Sequence, residues 1–221
     1  MTNSMEKFKN ARLYLVMGAG SFQGRTALKI AEQALRGGVD ILQLRDYALK
    51  DSDLLSTALN MRELTRRFDA LFIVNNRPDI AVLSDSDGVH VGQDDLSVAS
   101  ARIILGEGKI VGVSTHAPDQ ARKAIAEGAD YIGVGPVFAT PTKAGRQPVT
   151  VEYVRQVAEM NPSIPFFAIG GIDLSNINQV LEKGARRIAV VRAITEASDP
   201  QKAAEDLKMS LENHPLASAR S

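Results

Sequence analysis

Gly128-Ala129-Asp130-Tyr131-Ile132-Gly133-Val134 ends one structural unit and begins the next. Gly128 closes a helical segment, because glycine takes the left-handed backbone of a helix C-terminus without steric penalty. The four residues from Tyr131 are short and almost wholly apolar, as a parallel strand covered on both faces must be. The same hand-over occurs at Gly37-Gly38-Val39-Asp40 and at Gly184-Ala185-Arg186. Working outward from these points, strands are expected at 13–17, 39–44, 71–74, 88–91, 110–113, 131–134, 166–169 and 188–191. Segments of helical period separate them, such as 26–36 and 51–68, the latter placing Leu54, Leu55, Ala58, Met61 and Leu64 on one stripe. Evenly spaced units with no obvious nucleotide fingerprint in the first turn predict an α/β protein of the (β/α)8 TIM-barrel class, rather than an open doubly wound sheet. The barrel is expected over residues 13–213, with 1–12 as an N-terminal extension and 214–221 as a disordered tail.

Composition removes several function classes. The 221 residues carry 26 basic and 26 acidic side chains, so no global field draws the chain to nucleic acid or an anionic membrane surface. An anionic ligand must therefore be held by a local site. The lack of cysteine excludes disulfides, thiolate metal sites and cysteine nucleophiles, and accords with a reducing compartment. No apolar run approaches the roughly 18 residues that span a bilayer, and the polar opening segment lacks the apolar core of a secretory signal. The expectation is a cytoplasmic protein with no nucleic-acid and no membrane partner; the sequence is compatible with a homo-oligomer.

In such a barrel the chemistry sits on the loops after the carboxyl ends of the strands. Polar residues gather there: Gln43-Leu44-Arg45-Asp46, Asn75-Asn76-Arg77, Gln93-Asp94-Asp95, Ser114-Thr115-His116 and Arg192. Gly170-Gly171-Ile172-Asp173 follows the seventh strand and leads to a helix expected near Ser175. Glycines at that point of the fold favour a phosphate site over a plain tight turn, because they let an anion approach backbone N–H groups. The longest loop, 135–149, carries Thr140, Thr142, Lys143 and Arg146, which suit a mobile clamp over phosphate groups and an ordinary solvated loop equally. Asp94 and Asp95 suit Mg²⁺, and Asp95 also suits the N-cap of a helix starting near Leu96. His90, inside an apolar strand, reads as a hydrogen-bonded core residue. His116 fits function and structure equally, and His214 has no assigned role.

Taken in order, Gln43-Leu44-Arg45, Val89-His90-Val91-Gly92-Gln93-Asp94-Asp95, Gly112-Val113-Ser114-Thr115-His116, the stretch 133–143, Ala168-Ile169-Gly170-Gly171-Ile172 and the stretch 189–194 resemble the successive motifs of the thiamine-phosphate synthase family. The resemblance runs from about Leu13 to Pro200. It implies a TIM-barrel transferase that joins an aminopyrimidine methyl diphosphate to a thiazole phosphate, plain or carboxylated, with loss of pyrophosphate. It further implies that Gln43, Leu44, Arg45, Asp46 and Tyr47, with Asn75, would face the pyrimidine diphosphate. Ser114 and Lys143 would hold its pyrophosphate end, making Arg45, Ser114 and Lys143 the catalytic set. Thr140, Pro141 and Thr142 would position the thiazole phosphate, with Gly171, Val191 and Arg192 completing its pocket. Asn76 and Asp95 would ligate Mg²⁺. Two positions depart from the family pattern: Tyr47 stands where a lysine is usual, with Lys50 as a substitute cation nearby, and Asn76 stands where an aspartate is usual. Two other readings stay open, an isomerase of the thiazole tautomerase type using His116, and a non-catalytic barrel that binds a phosphorylated thiamine precursor.

Overall fold

The computed structural model describes residues 4–20, 22–140 and 147–214. Among them, eight parallel strands close a barrel in chain order: β1 (Leu13–Met17), β2 (Ile41–Leu44), β3 (Leu71–Asn75), β4 (Gly88–Val91), β5 (Ile110–Thr115), β6 (Tyr131–Val134), β7 (Phe166–Ile169) and β8 (Ile188–Val190). Pairing of β1 with β8, Leu13 beside Ile188, completes the ring. The helices are α1 (Ser4–Asn10), α2 (Ala27–Arg36), α3 (Asp51–Arg67), α4 (Pro78–Leu83), α5 (Val98–Leu105), α6 (Pro118–Ala126), α7 (Thr150–Glu159), α8 (Ile177–Leu181), α9 (Arg192–Thr195) and α10 (Pro200–Asn213). This is the TIM barrel that the alternation predicts. Among the described residues no helix is long and apolar enough to cross a membrane.

Local chemistry explains the boundaries. Thr26, Ser97 and Asp199 accept the backbone N–H of Lys29, Ser100 and Lys202, satisfying donors that the first turns of α2, α5 and α10 leave unpaired. The cap of α5 is therefore Ser97 and not Asp95. Helix α8 begins at Ile177 rather than near Ser175, because Asp173 Oδ1 takes both the N–H and the hydroxyl of Ser175 and holds that segment as a turn. Gly128 and Gly184 have φ of +82° and +95°, as a helix-ending glycine should. At the first hand-over Gly38 takes the left-handed conformation. Gly37 instead supplies space, since a Cβ there would lie 2.3 Å from the Gln201 carbonyl of α10.

Two apolar layers result. Leu54, Ala58, Met61 and Leu64 of α3 pack into the outer layer between strands and helices, while Tyr14, Ile73, Tyr131 and Phe167 fill the barrel interior. Helix α1 closes the floor of that interior: the Phe8 ring lies 5.2 Å from Tyr131 and 6.0 Å from Phe167. The carbonyls of Lys9 and Ala11 accept from Arg187, and Arg12 donates to the Leu211 carbonyl near the end of α10, so the chain leaving α1 is tied to the approach to β8 and to the last turn of α10. The tail beyond His214 lies outside the described residues.

Candidate active site

Strand side chains alternate between the two layers, and the inward-facing set becomes polar towards the carboxyl ends. There Gln43, Asn75, His90 and Ser114 face one cavity with Tyr47, Asn76 and Asp95, above a floor of Tyr14, Tyr131 and Phe167. A second cavity of about 340 Å³ is lined by Pro136, Thr140, Gly170, Gly171, Val191 and Arg192, among others. The two adjoin. Val16, Arg45, Ile169 and Ala189 line both, with the Arg45 side chain at the shared wall.

The larger cavity is built by close approach of two loops. Val137 and Phe138 donate their backbone N–H to the carbonyls of Ile169 and Gly170, and Val149 N–H returns to the Pro136 carbonyl. A Cβ on Gly170 would lie 2.5 Å from Pro136 Cα, and one on Gly171 would lie 2.8 Å from the Ala139 carbonyl oxygen. Glycine is required at both positions, whose φ values are +107° and +65°. Arg192 Nε donates to Glu196 at 2.9 Å on the same cavity wall, so its charge is shared with a carboxylate until an anion competes for it. Of the residues expected to clamp phosphate, Thr140 lines this cavity. Pro141, Thr142, Lys143 and Arg146 lie outside the described residues.

In the other cavity the family departures meet. Asn75 Nδ2 and Asn76 Nδ2 both donate to the Tyr47 hydroxyl, at 3.1 and 3.2 Å, and the Arg45 guanidinium carbon lies 4.7 Å from the Tyr47 ring centre. Asn76 has φ of +58°, a backbone that asparagine tolerates better than most residues. Asp95 Oδ2 accepts the Gly92 N–H at 2.6 Å, and Gln93 donates to the Ser114 carbonyl. Gln43 is buried and donates to the Tyr14 hydroxyl at 2.6 Å. Leu44 faces the opposite way, into the outer layer, so only its backbone remains for a ligand. Asp46 is occupied in bracing the loop, accepting from the N–H groups of Ala19, Ala48 and Leu49. Lys50 precedes α3 and lines neither cavity.

Burial pushes the Tyr14 and Tyr131 hydroxyls well above the ordinary phenol range, so both keep their protons. His90 joins Tyr131 to Ser114 through its two ring nitrogens and lines the cavity. It is hydrogen-bonded, as the sequence reading expects, and it also faces the cavity. His116 Nδ1 engages the Gly135 carbonyl and lines neither cavity, which removes the geometric basis for the isomerase reading. Sequence reasoning passed over Tyr14, Tyr131 and Phe167. Their signal was parity, since each points inward on its strand like the polar residues above it.

For a metal, the described residues contain no cluster of three or more histidine, cysteine or acidic side chains. Asp95 and Asn76 do line one cavity. One carboxylate and one amide suit Mg²⁺, which keeps several waters and completes its shell with substrate oxygens.

The model of the family described as thiamine monophosphate synthase matches residues 13–194. The thiamine-phosphate synthase of Synechocystis is 48% identical over 203 residues, covering 92% of this chain and 58% of that protein. The chain thus spans little more than half the length of this relative. The thiamine-phosphate synthase of Thermus thermophilus is 48% identical over 198 residues, covering 89% of this chain and 95% of that protein. Among solved structures, the thiamine phosphate pyrophosphorylase of Pyrococcus furiosus superposes with a TM-score of 0.84 at 33% identity, covering 95% of this chain and 98% of that one. A 3-hexulose-6-phosphate synthase, at 21% identity and a TM-score of 0.64, shares the fold.

Proposed function

The chain belongs to the thiamine monophosphate synthase family, and from that premise we propose that it joins an aminopyrimidine methyl diphosphate to a thiazole phosphate, releasing pyrophosphate and thiamine phosphate. The observation that carries this reading is the position of Arg45 on the wall between two adjoining cavities. One offers amide and hydroxyl groups to a pyrimidine and its diphosphate. The other offers glycine-lined backbone and Arg192 to a monophosphate. A cytoplasmic location belongs to the same proposal.

The reaction breaks the C–O bond between the pyrimidine methylene and its diphosphate, and the electron pair leaves with pyrophosphate. The lone pair of the thiazole nitrogen then forms the new C–N bond to that carbon. No protein base is needed to start it. The protein's task is to support the charge on the leaving group and to exclude water from the cation. Arg45, Ser114 and Lys143 act on the diphosphate, while Gln43 and Asn75 orient the ring. Thr140, Thr142, Gly171, Val191 and Arg192 hold the thiazole phosphate. Asp95 and Asn76 would hold Mg²⁺, which when bound offsets the negative charge of the diphosphate.

Incubation with both precursors and Mg²⁺ should yield pyrophosphate and thiamine phosphate in equal amounts. Isomerisation of the thiazole, or binding of either precursor without turnover, would overturn this assignment.

A further inference from the structure

Beneath the pyrimidine-side cavity the side chains form a single file of hydrogen bonds. Gln43 Nε2 donates to Tyr14 OH at 2.6 Å, Tyr14 OH meets Tyr131 OH at 2.9 Å, Tyr131 OH meets His90 Nδ1 at 2.9 Å, and His90 Nε2 meets Ser114 Oγ at 2.8 Å. Space is kept for it. A Cβ on Gly112 would lie 2.0 Å from Tyr131 Cζ, so the ring can cross the barrel only because that position on β5 has no side chain. Phe8 and Phe167 pack around the same ring.

The file has a direction. An amide nitrogen can only donate, and a hydroxyl has a single proton to give. Tyr14 and Tyr131 are 2% and 1% exposed, so each O–H needs an acceptor within the protein. With Gln43 donating to Tyr14, the Tyr14 proton must go to Tyr131, and the Tyr131 proton must go to His90 Nδ1. His90 is then the neutral Nε2–H tautomer and donates to Ser114. The Ser114 proton is left over for the cavity. Were the Gln43 amide turned, every bond would reverse, His90 Nε2 would take the Ser114 proton, and Ser114 would present only lone pairs to an anion.

We propose that Gln43 sets the direction of this file and thereby makes Ser114 a hydrogen-bond donor to the diphosphate, with Tyr14, Tyr131 and His90 as positioning residues. This rests on the roles given to Gln43 and Ser114 under the proposed function. The Gln43 oxygen is the acceptor for the pyrimidine amino group. An amine bound there keeps Nε2 on Tyr14, so recognition of the ring at one end and contact with the anion at the other are one setting.

Nitrogen-15 NMR of the His90 imidazole tests the file in the ligand-free protein. The wild type should show the Nε2–H tautomer. Gln43→Glu, recorded at a pH where its own carboxyl carbon signal shows the carboxylate, can only accept from Tyr14 and should switch His90 to Nδ1–H across three intervening hydrogen bonds. In kinetics, Tyr131→Phe keeps the ring and removes the link, and should lower kcat/KM for the pyrimidine diphosphate about tenfold. The same substitution should cause no further loss in a Ser114→Ala background. Should Tyr131→Phe not fold, Tyr14→Phe interrupts the file one bond earlier. An Nδ1–H wild type, an unchanged tautomer in Gln43→Glu, or additive kinetic losses would each overturn the proposal. Because the NMR measurement needs no turnover, failure of the condensation reaction would reject the proposed function while the tautomer still judged the file.

Discussion

Asn76 donates its amide N–H to the Tyr47 hydroxyl, which leaves its Oδ1 as the atom able to meet a cation. An amide oxygen lacks the charge that makes a tight Mg²⁺ ligand, so the free protein should bind the metal weakly. The diphosphate would bring the missing anionic oxygens, and metal and substrate should each tighten the other by the same factor. Asn76→Asp adds one negative charge and makes Tyr47 the donor; half-saturation should move to roughly tenfold lower Mg²⁺, the scale of one charge at close range. Calorimetric titration of Mg²⁺ with and without a pyrimidine diphosphate analogue measures this. Equal affinity in both titrations would place Asn76 outside the metal site. Lys143→Ala should slow condensation about a hundredfold at an unchanged melting temperature, as loss of one charge-stabilising group does; a lower melting temperature with full activity would reject its role. At this scale the rim residues were legible because apolar runs locate the strand ends, and polar side chains just beyond them stand out. The link from His90 to Ser114 and Tyr131 was not, because those partners lie 24 and 41 positions away and only barrel closure brings them together.

Among the elements, α1 was the least legible. Its seven residues bury one apolar side chain, Phe8, so no stripe marks it as a packing helix. The structure gives that side chain the barrel floor, and Phe8→Ala should destabilise the fold by about 3 kcal/mol in urea denaturation, against about 1 kcal/mol for removing the α2 cap with Thr26→Ala. A Phe8→Ala cost no larger than that of the cap would mean that the floor contributes little. Helix α4 and the turn that follows it predict a pH response. Hydrogen bonds from Arg77 and Lys109 hold the Asp79 and Asp85 carboxyls, respectively, below the usual range. Carboxyls lowered in the folded state stabilise it above their unfolded pKa, near 4, and lose that contribution as pH falls through the folded values. Stability should therefore decline on acidification below about pH 4, and less steeply in high salt, because both side chains are largely exposed. Denaturation series on the Asp79→Asn and Asp85→Asn variants check this; an unaltered acid limb would clear both residues.

For the whole molecule, closure follows from counting units, and the count was readable because glycine punctuates the helix ends. The division of the rim into two cavities was not readable. It depends on which way each strand-end residue faces, and a one-residue change of parity sends Leu44 outward while Gln43 turns in. The described chain starts at the floor, where Ser4 donates to Asp87 just before β4, and the last turn of α10 is tied by Arg12 to the foot of β1. A folded fusion partner appended at either end should therefore leave condensation about unchanged, whereas the same partner inserted between Thr142 and Lys143 should abolish it. Steady-state rates of the three fusions decide; a terminal fusion that blocks turnover would mean that the ends reach the rim.

The anchoring of α1 and of the last turn of α10 at the foot of the barrel, away from the rim, also bears on how such a barrel is put to use and diversified. A barrel whose anchoring points and candidate site are on opposite sides can be joined to another protein or fixed to a support without redesign of that site. Change at the foot of such a barrel and change at its rim are then separate matters.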